Sequence, residues 1–205
     1  IFLAALTYEG LLGQPWSYDD LLQVEKAAAV SGSAAVLLDP SSKEPLRFVS
    51  HLYFLVVYLL VGNNPTGYYF GNILLHLINT VIVVLVVSRF VSHRLSVLTG
   101  LLFLVNTTGY GAVYTIAASA ALQGAGFALL AVDRAYQFMT EGSRRNLVLT
   151  ALMFLGSVLS YESHIVIVLP LFWLLLTHRD SRSRAIQLAA SIALGVVILV
   201  ALEAT

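Results

Sequence analysis

The chain alternates long apolar runs with short polar segments, which is the pattern of helices that cross a lipid bilayer. A spanning helix needs about 20 mostly apolar residues, and several runs approach that length. The runs that predict spans cover residues 69–91, 95–105, 113–132, 147–160, 165–177 and 185–202. Residues 1–6 look like the end of an earlier span. The expected fold is therefore an all-α, polytopic transmembrane helical bundle of about seven spans.

The arginines predict which side of the membrane each loop faces. Eight of them fall in three short segments between the apolar runs: Arg89 and Arg94; Arg134, Arg144 and Arg145; Arg179, Arg182 and Arg184. Basic residues collect in cytoplasmic loops, and an even number of predicted spans separates these segments. All three can therefore lie inside. Residues 8–68, 106–112 and 161–164 are then expected outside, on what we expect to be the plasma (cytoplasmic) membrane.

One run within the predicted outer loop, residues 48–61, is apolar enough to span. It begins after Arg47, is rich in aromatic residues and has only about 14 residues, a length more typical of interfacial or re-entrant segments. We predict a helix on the outer surface. The domain organisation is then a single membrane domain over residues 1–205, with residues 8–68 as an outer loop holding surface helices and residues 69–205 as transmembrane helices.

Composition narrows the class of partner. The chain carries 11 Lys and Arg and 11 Asp and Glu, is 59% hydrophobic and has a mean hydropathy of +0.86. The balanced charge argues against nucleic acid as a partner, and membrane lipid is expected instead. The absence of cysteine excludes disulfides and thiolate metal sites. Because the chain starts at Ile1 and stops within an apolar run, we expect it to be a piece of a longer protein.

Acidic residues are concentrated near the start of the chain. Six of the 11 precede residue 45: Glu9, Asp19, Asp20, Glu25, Asp39 and Glu44. The adjacent pair Asp19 and Asp20 is the strongest candidate for chemistry, since one carboxylate could take a proton from a nucleophile while its neighbour orients it or holds a divalent cation. The alternative is a helix start, where Ser17 or Asp19 caps the first turn and the helix dipole favours acids.

A second polar set lies within a predicted span. Asn72, His76 and Asn79 are spaced i, i+4 and i+7, so they share one helix face. Polar groups within the bilayer are unfavourable unless they face protein or a cavity. They could form the wall of a substrate pocket, or they could make hydrogen bonds that fix helix packing.

Four blocks, in order, resemble a known family. They are residues 16–20 (Trp-Ser-Tyr-Asp-Asp), 44–48 (Glu-Pro-Leu-Arg-Phe), 62–68 (Gly-Asn-Asn-Pro-Thr-Gly-Tyr) followed by the Asn72, His76 and Asn79 helix, and 160–162 (Ser-Tyr-Glu). This order resembles the amino-terminal part of the GT-C superfamily of membrane glycosyltransferases, especially its protein O-mannosyltransferase-like and tetratricopeptide-linked members. The resemblance implies transfer of a sugar from a polyprenyl-phosphate donor on the outer face of the membrane.

The resemblance also suggests roles for single residues. It implies that Asp19 or Asp20 is catalytic, and we favour Asp19. Arg47, like Lys43, is expected near the donor phosphate because of the planar fork of its guanidinium; the alternative is snorkelling at the membrane interface. Glu162 and His164 are expected to contribute to substrate binding, by holding a metal ion or by holding phosphate through a metal ion, and the alternative is a solvated turn. No cofactor follows from the sequence beyond room for a divalent cation.

Two departures from the family pattern favour a second hypothesis. Residues 106–119 contain no acid, histidine, proline or arginine, although the family carries such residues in its second outer loop. Tyr161 also replaces the lysine of a Lys-Glu pair. The second hypothesis is a catalytically degenerate relative that serves as an accessory subunit among other membrane proteins. The small residues Ala120 and Gly124 fit either a docking surface or, more simply, close internal helix packing.

Overall fold

The computed structural model describes residues 8, 10–33, 47–177 and 182–203, and in this part of the chain every regular element is a helix. The all-α prediction is confirmed. The predicted span end at residues 1–6, Lys43 and Arg179 lie outside the described residues. The helices are α1 Tyr18–Gly32, α2 Phe48–Val61, α3 Pro65–Val87, α4 His93–Val105, α5 Thr107–Tyr114, α6 Ser119–Glu141, α7 Arg144–Ser160, α8 Val168–Thr177 and α9 Arg182–Glu203.

Two helical stretches are long and apolar enough to cross a membrane. They are Pro65–Val87, with 23 residues, and Ile116–Glu141, with 26. Shorter apolar helices occupy Phe48–Val61, His93–Val105 and Glu162–Leu174. The described residues therefore indicate a helical membrane protein, but they do not confirm the prediction of about seven spans.

The predicted span at residues 113–132 is interrupted near its start. α5 ends at Tyr114, Thr115 is extended, and a 3-10 turn at Ile116–Ala118 leads into α6. The carbonyl groups of Val113 and Thr115 accept hydrogen bonds from the amide of Asn72, at 3.4 and 3.1 Å. Carbonyls at the end of a helix lack partners within the helix, so this side chain stabilises the break.

α3 and α6 run parallel to each other. The amide of Asn79 donates to the carbonyl of Leu122 at 2.7 Å, and ten residues further along α3 the guanidinium of Arg89 pairs with Asp133. α4 and α7 run in the opposite direction. For α4, Gly100 approaches Val84 of α3, whereas Leu104, later in α4, contacts His76, which is earlier in α3. For α7, Ser157 donates to the carbonyl of Gly124 near the start of α6, whereas Asn146, earlier in α7, donates to Glu141 at the end of α6.

The arginine-bearing segments meet at one end of the bundle. Asp133, which is 6% exposed, accepts from Arg89 at the end of α3. Arg184, near the start of α9, donates to the carbonyls of Met139 and Thr140 at 2.8 and 3.0 Å. These are the last carbonyls of α6, which lack helical partners and which cations favour. The segments share one end, as the sequence predicts, and the side of the membrane that this end faces stays a prediction.

α2 lies across the opposite end of the bundle. Its first turn is joined to the end of α7 by a hydrogen-bonded ion pair between Arg47 and Glu162, and its last residue, Val61, packs against Gly67 in the first turn of α3. Both ends of α2 are therefore near the same end of the neighbouring helices. A 14-residue helix is about 21 Å long, less than the bilayer core, and its place at the membrane surface stays a prediction.

The distribution of polar and apolar side chains is that of a membrane protein. Buried positions include polar side chains such as Asn72, His76, Asn79 and Ser157, whereas α3 exposes Phe70, Leu74, Ile78, Val81 and Leu85. Water disfavours an apolar surface of this extent, and lipid does not. Membrane lipid therefore stays the predicted neighbour of these faces.

Gly126 shows how closely α3 and α6 approach. A Cβ atom at Gly126 would lie 2.5 Å from Oδ1 of Asn79, whose amide nitrogen donates to Leu122. Asn79 is 2% exposed and has no room to move aside. The small residues of α6 are thus used for packing within the chain.

We expect Gly126→Ala to destabilise the fold by about 1–3 kcal/mol, because the added methyl group forces Asn79 away from Leu122. Thermal unfolding in detergent measures the effect. Gly111→Ala is the matched control: it is also helical, a Cβ there meets nothing within 4 Å, and it should be neutral or slightly stabilising. Equal melting temperatures for the two variants would contradict the packing described here.

Candidate functional site

Asp20 ties the start of α1 to the turn that precedes α6. Its Oδ2 accepts from the backbone N–H of Ser17 at 3.0 Å, while the hydroxyl of Ser17 accepts from the N–H of Asp20. This reciprocal capping box begins α1 at the place the sequence predicts, with Ser17 as the cap. The second carboxylate oxygen, Oδ1, accepts from the N–H of Ala117 at 2.8 Å, 97 residues along the chain. Asp20 is 1% exposed, so both of its oxygens are used inside the protein.

Asp19 is the accessible member of the pair. It lies in the first turn of α1 and is exposed. Adjacent residues on a helix point in different directions, so Asp19 faces outward because its neighbour Asp20 faces inward. Asp20 therefore holds the backbone, whereas Asp19 is accessible to a substrate.

Arg47 and Glu162 form a two-pronged ion pair at the same end of the bundle. Nε and Nη2 of Arg47 donate to the two carboxylate oxygens at 2.9 and 2.7 Å. The guanidinium also lies 4.9 Å from the ring centre of Tyr161, a cation–π contact. The side chains are 29% and 38% exposed, so solvent and dissolved anions reach them.

The electrostatics of Glu162 follow from this pair. The hydrogen bonds from Arg47 hold the pKa of the Glu162 carboxyl below its usual range, and partial burial opposes them. At neutral pH Glu162 is therefore an anion, and the guanidinium fork of Arg47 is occupied by it.

His164 packs into a space left by a glycine. A Cβ at Gly124 would lie 2.6 Å from Nδ1 of His164, so only glycine lets the ring approach α6 this closely. Burial lowers the pKa of the His164 imidazole, which favours the neutral ring at pH 7. Among the described residues, Nδ1 has no hydrogen-bond partner. The pair Ala120 and Gly124 thus serves close internal packing, the simpler of the two readings of these small residues.

The two groups of side chains surround the start of α6. Asp20 holds Ala117, immediately before α6, and His164 rests on Gly124, in its second turn. These two contact points are seven residues apart, about 10 Å at the rise of a helix. The structure thus brings Asp19 and Asp20 to the same helix end as Arg47, Glu162 and His164. We name this set, with Tyr161, the outer-end cluster, after the end of the bundle that the sequence predicts to face outward.

Asn72 and His76 lie deeper and hold the protein together. The amide of Asn72 donates to the carbonyls of the α5 end, and Nε2 of His76 lies 3.2 Å from the carbonyl of Leu104. A carbonyl only accepts, so this nitrogen carries the proton. Both residues are buried, with 1% and 0% of their surface exposed. These contacts match the packing alternative for the polar face, and a role in substrate binding stays a prediction.

Metal binding has limited support. The described residues contain no group of three or more His, Cys, Asp or Glu side chains placed to hold a metal ion.

Three parts of the outer-end cluster did not follow from sequence reasoning. The sequence does not single out the backbone N–H of Ala117, because every residue except proline carries such a group. Tyr161 stood out only as a missing lysine, although an aromatic ring beside an arginine is itself a signal for a cation–π contact. The partnership of Arg47 with Glu162 spans 115 residues, and no local pattern predicts it.

Comparison with known proteins gives a distant relationship. The chain is similar to the Protein O-mannosyl-transferase Tmtc1 of Drosophila melanogaster, with 28% identity over an aligned length of 180 residues; the match covers 82% of this chain and 21% of that protein. The chain thus spans about a fifth of the length of this curated relative. No family model and no solved structure matches it. The similarity supports a glycosyltransferase-like relationship of the GT-C kind, the family that the motifs resemble.

The stabilisation from the Arg47–Glu162 pair should depend on pH. Because the pKa of Glu162 is lowered by folding, the contribution is complete above about pH 4.3, the usual glutamate value, and is lost as the pH falls through the lower folded value. Melting temperatures of the original chain and Glu162→Gln should differ by a constant small amount from pH 8 to about pH 5 and converge once the pH is low enough to protonate Glu162 in the folded chain. Both side chains are partly exposed, so the difference corresponds to about 1 kcal/mol or less.

Glu25→Gln is the matched control, since Glu25 is exposed on α1. It should melt like the original chain at every pH. A difference for Glu162→Gln that grows towards acidic pH would contradict the ion pair.

Proposed function

We propose that this chain is part of a membrane glycosyltransferase that moves a sugar from a polyprenyl-phosphate donor to an acceptor hydroxyl at the outer face of the membrane. The supporting observation is that the two carboxylates of the pair differ in burial and in hydrogen bonding. Asp20 is buried and uses both oxygens to fix the backbone, whereas Asp19 is exposed beside it. An exposed carboxylate on a rigidly held turn is what a general base requires.

The proposed reaction assigns each group a step. Asp19 takes the proton of the acceptor hydroxyl, whose oxygen forms a new bond to the anomeric carbon of the sugar. The bond between that carbon and the phosphate oxygen breaks, and polyprenyl phosphate leaves with the bonding electrons. Arg47 is the cation placed to balance the phosphate charge. The exposed side chains Ile165 and Val166, which lie three and four residues after Glu162, offer an apolar surface for the prenyl tail.

One observation favours a second candidate function, an accessory subunit of a membrane complex. The charges of Asp20 and Arg47 are both engaged within the chain, and residues 106–119 carry no charge that a donor phosphate could use. A fold retained for its shape has these properties. In this case other membrane subunits, rather than a lipid-linked sugar, are the partners.

The test compares the two carboxylates in the full-length protein, reconstituted with a polyprenyl-phosphate sugar and an acceptor peptide. Asp19→Asn keeps the size of the side chain and removes the base, so transfer should fall about 10²–10⁴-fold while the melting temperature stays the same. Asp20→Ala removes its half of the capping box and the bond to Ala117, so it should lower stability by about 1–2 kcal/mol.

The pair of variants separates the two candidates. Transfer that is measurable in the original protein and unaffected by Asp19→Asn rules out Asp19 as the base. No transfer by the original protein, with Asp20→Ala altering stability and Asp19→Asn altering neither property, favours the accessory subunit.

A further inference from the structure

The guanidinium group of Arg47, here called the Arg47 fork, has the geometry to bind a phosphate group and is occupied by a carboxylate. Planar guanidinium groups bind carboxylate and phosphate oxygens in the same two-pronged geometry. Here Nε and Nη2 hold the two oxygens of Glu162, and the Tyr161 ring supports the guanidinium from the side. Glu162 thus stands where two oxygens of a phosphate group would fit.

We propose that Glu162 is an exchangeable internal occupant of the Arg47 fork, displaced when the phosphate of a ligand binds and restored when that ligand leaves. This inference rests on the proposed function for the identity of the ligand, a phosphate ester carried by a lipid. It adds a regulatory role for Glu162, which competes with the ligand for one guanidinium.

Exposure makes the exchange feasible. The side chains of Arg47 and Glu162 are 29% and 38% exposed, and ion pairs of this kind are screened and contribute little net free energy. A buried pair, such as Asp133 with Arg89 at the other end of the bundle, is harder to separate because Asp133 is only 6% exposed. The outer-end pair is therefore the one that an incoming anion can open.

The position of Arg47 adds a second attraction for anions. Arg47 directly precedes α2, and its side chain makes no capping hydrogen bond to that helix. The start of a helix carries a partial positive charge, so an anion on the fork is also near a favourable dipole. Tyr161 fixes the guanidinium plane, which keeps the fork oriented after Glu162 has left.

A competing carboxylate suits a transfer reaction. The donor phosphate is a diester with one negative charge, and the product is a monoester with up to two. Product therefore binds a guanidinium more strongly than donor does. Return of Glu162 to the fork helps to release the product, because the carboxylate and the phosphate cannot occupy it together.

The test measures phosphate affinity in the full-length protein in detergent, with inorganic phosphate and a short-chain polyprenyl phosphate as separate probes. Glu162→Gln removes the competing charge, so the dissociation constant should fall about five- to tenfold, as expected for one unit charge about 4 Å away in solvent. Arg47→Gln should abolish binding, and Glu25→Gln should match the original protein. Glu162→Asp, which keeps the charge on a shorter side chain, should lie between the original and Glu162→Gln.

Each outcome decides the proposal. Tighter binding of both probes by Glu162→Gln supports a site for the phosphate group alone, and tighter binding of the polyprenyl phosphate alone supports a site for the lipid-linked form. Equal or weaker binding of both probes by a folded Glu162→Gln or Glu162→Asp variant overturns it. The transfer assay is read separately. If Glu162→Gln binds phosphate more tightly but the full-length protein transfers no sugar, the phosphate site is supported and the proposed function is rejected. If sugar transfer is measured but Glu162→Gln does not bind phosphate more tightly, the proposed function is supported and the exchange of Glu162 is rejected.

Discussion

The fold depends on the need to satisfy buried polar groups where no water is present. Asn72, His76 and Asn79 lie along one face of α3 and donate to carbonyl groups on three other segments, at the α5 end, Leu104 and Leu122. These bonds hold α4, the interrupted helix before α6, and α6 itself against α3. In an apolar surrounding a carbonyl without a partner is strongly unfavourable, so the donors of Asn72 stabilise the break between α5 and α6.

The same constraint positions the outer-end cluster. The interruption at Thr115 leaves the N–H of Ala117 available, and Asp20 accepts it. α1 is thereby fixed at the start of α6, with Asp19 facing outward. Two glycines of α6 admit Asn79 and His164 at close range. Charged residues are few, and the two long-range ion pairs of the described residues lie at opposite ends: Arg89 with Asp133 at one, Arg47 with Glu162 at the other.

Helix periodicity and charge gave most of what was predictable. The spacing of Asn72, His76 and Asn79 correctly placed them on one face, Ser17 was recognised as a cap, and the arginine segments share one end. The predicted span at residues 113–132 is interrupted at Thr115. Hydropathy did not predict this break, because it measures apolar character and not whether the helix is continuous. The bond from Asp20 to Ala117 and the pair of Arg47 with Glu162 depend on tertiary contacts across about 100 residues, which local patterns do not encode.

The central claim is that the outer-end cluster serves a lipid-linked phosphate. Purifying the full-length native protein in mild detergent and analysing it by native mass spectrometry tests this most directly. The account predicts a protein that carries a polyprenyl phosphate, lost when Arg47 is replaced by glutamine. A stoichiometric set of other membrane subunits with no such lipid would contradict it and identify the fold as a structural part of a complex.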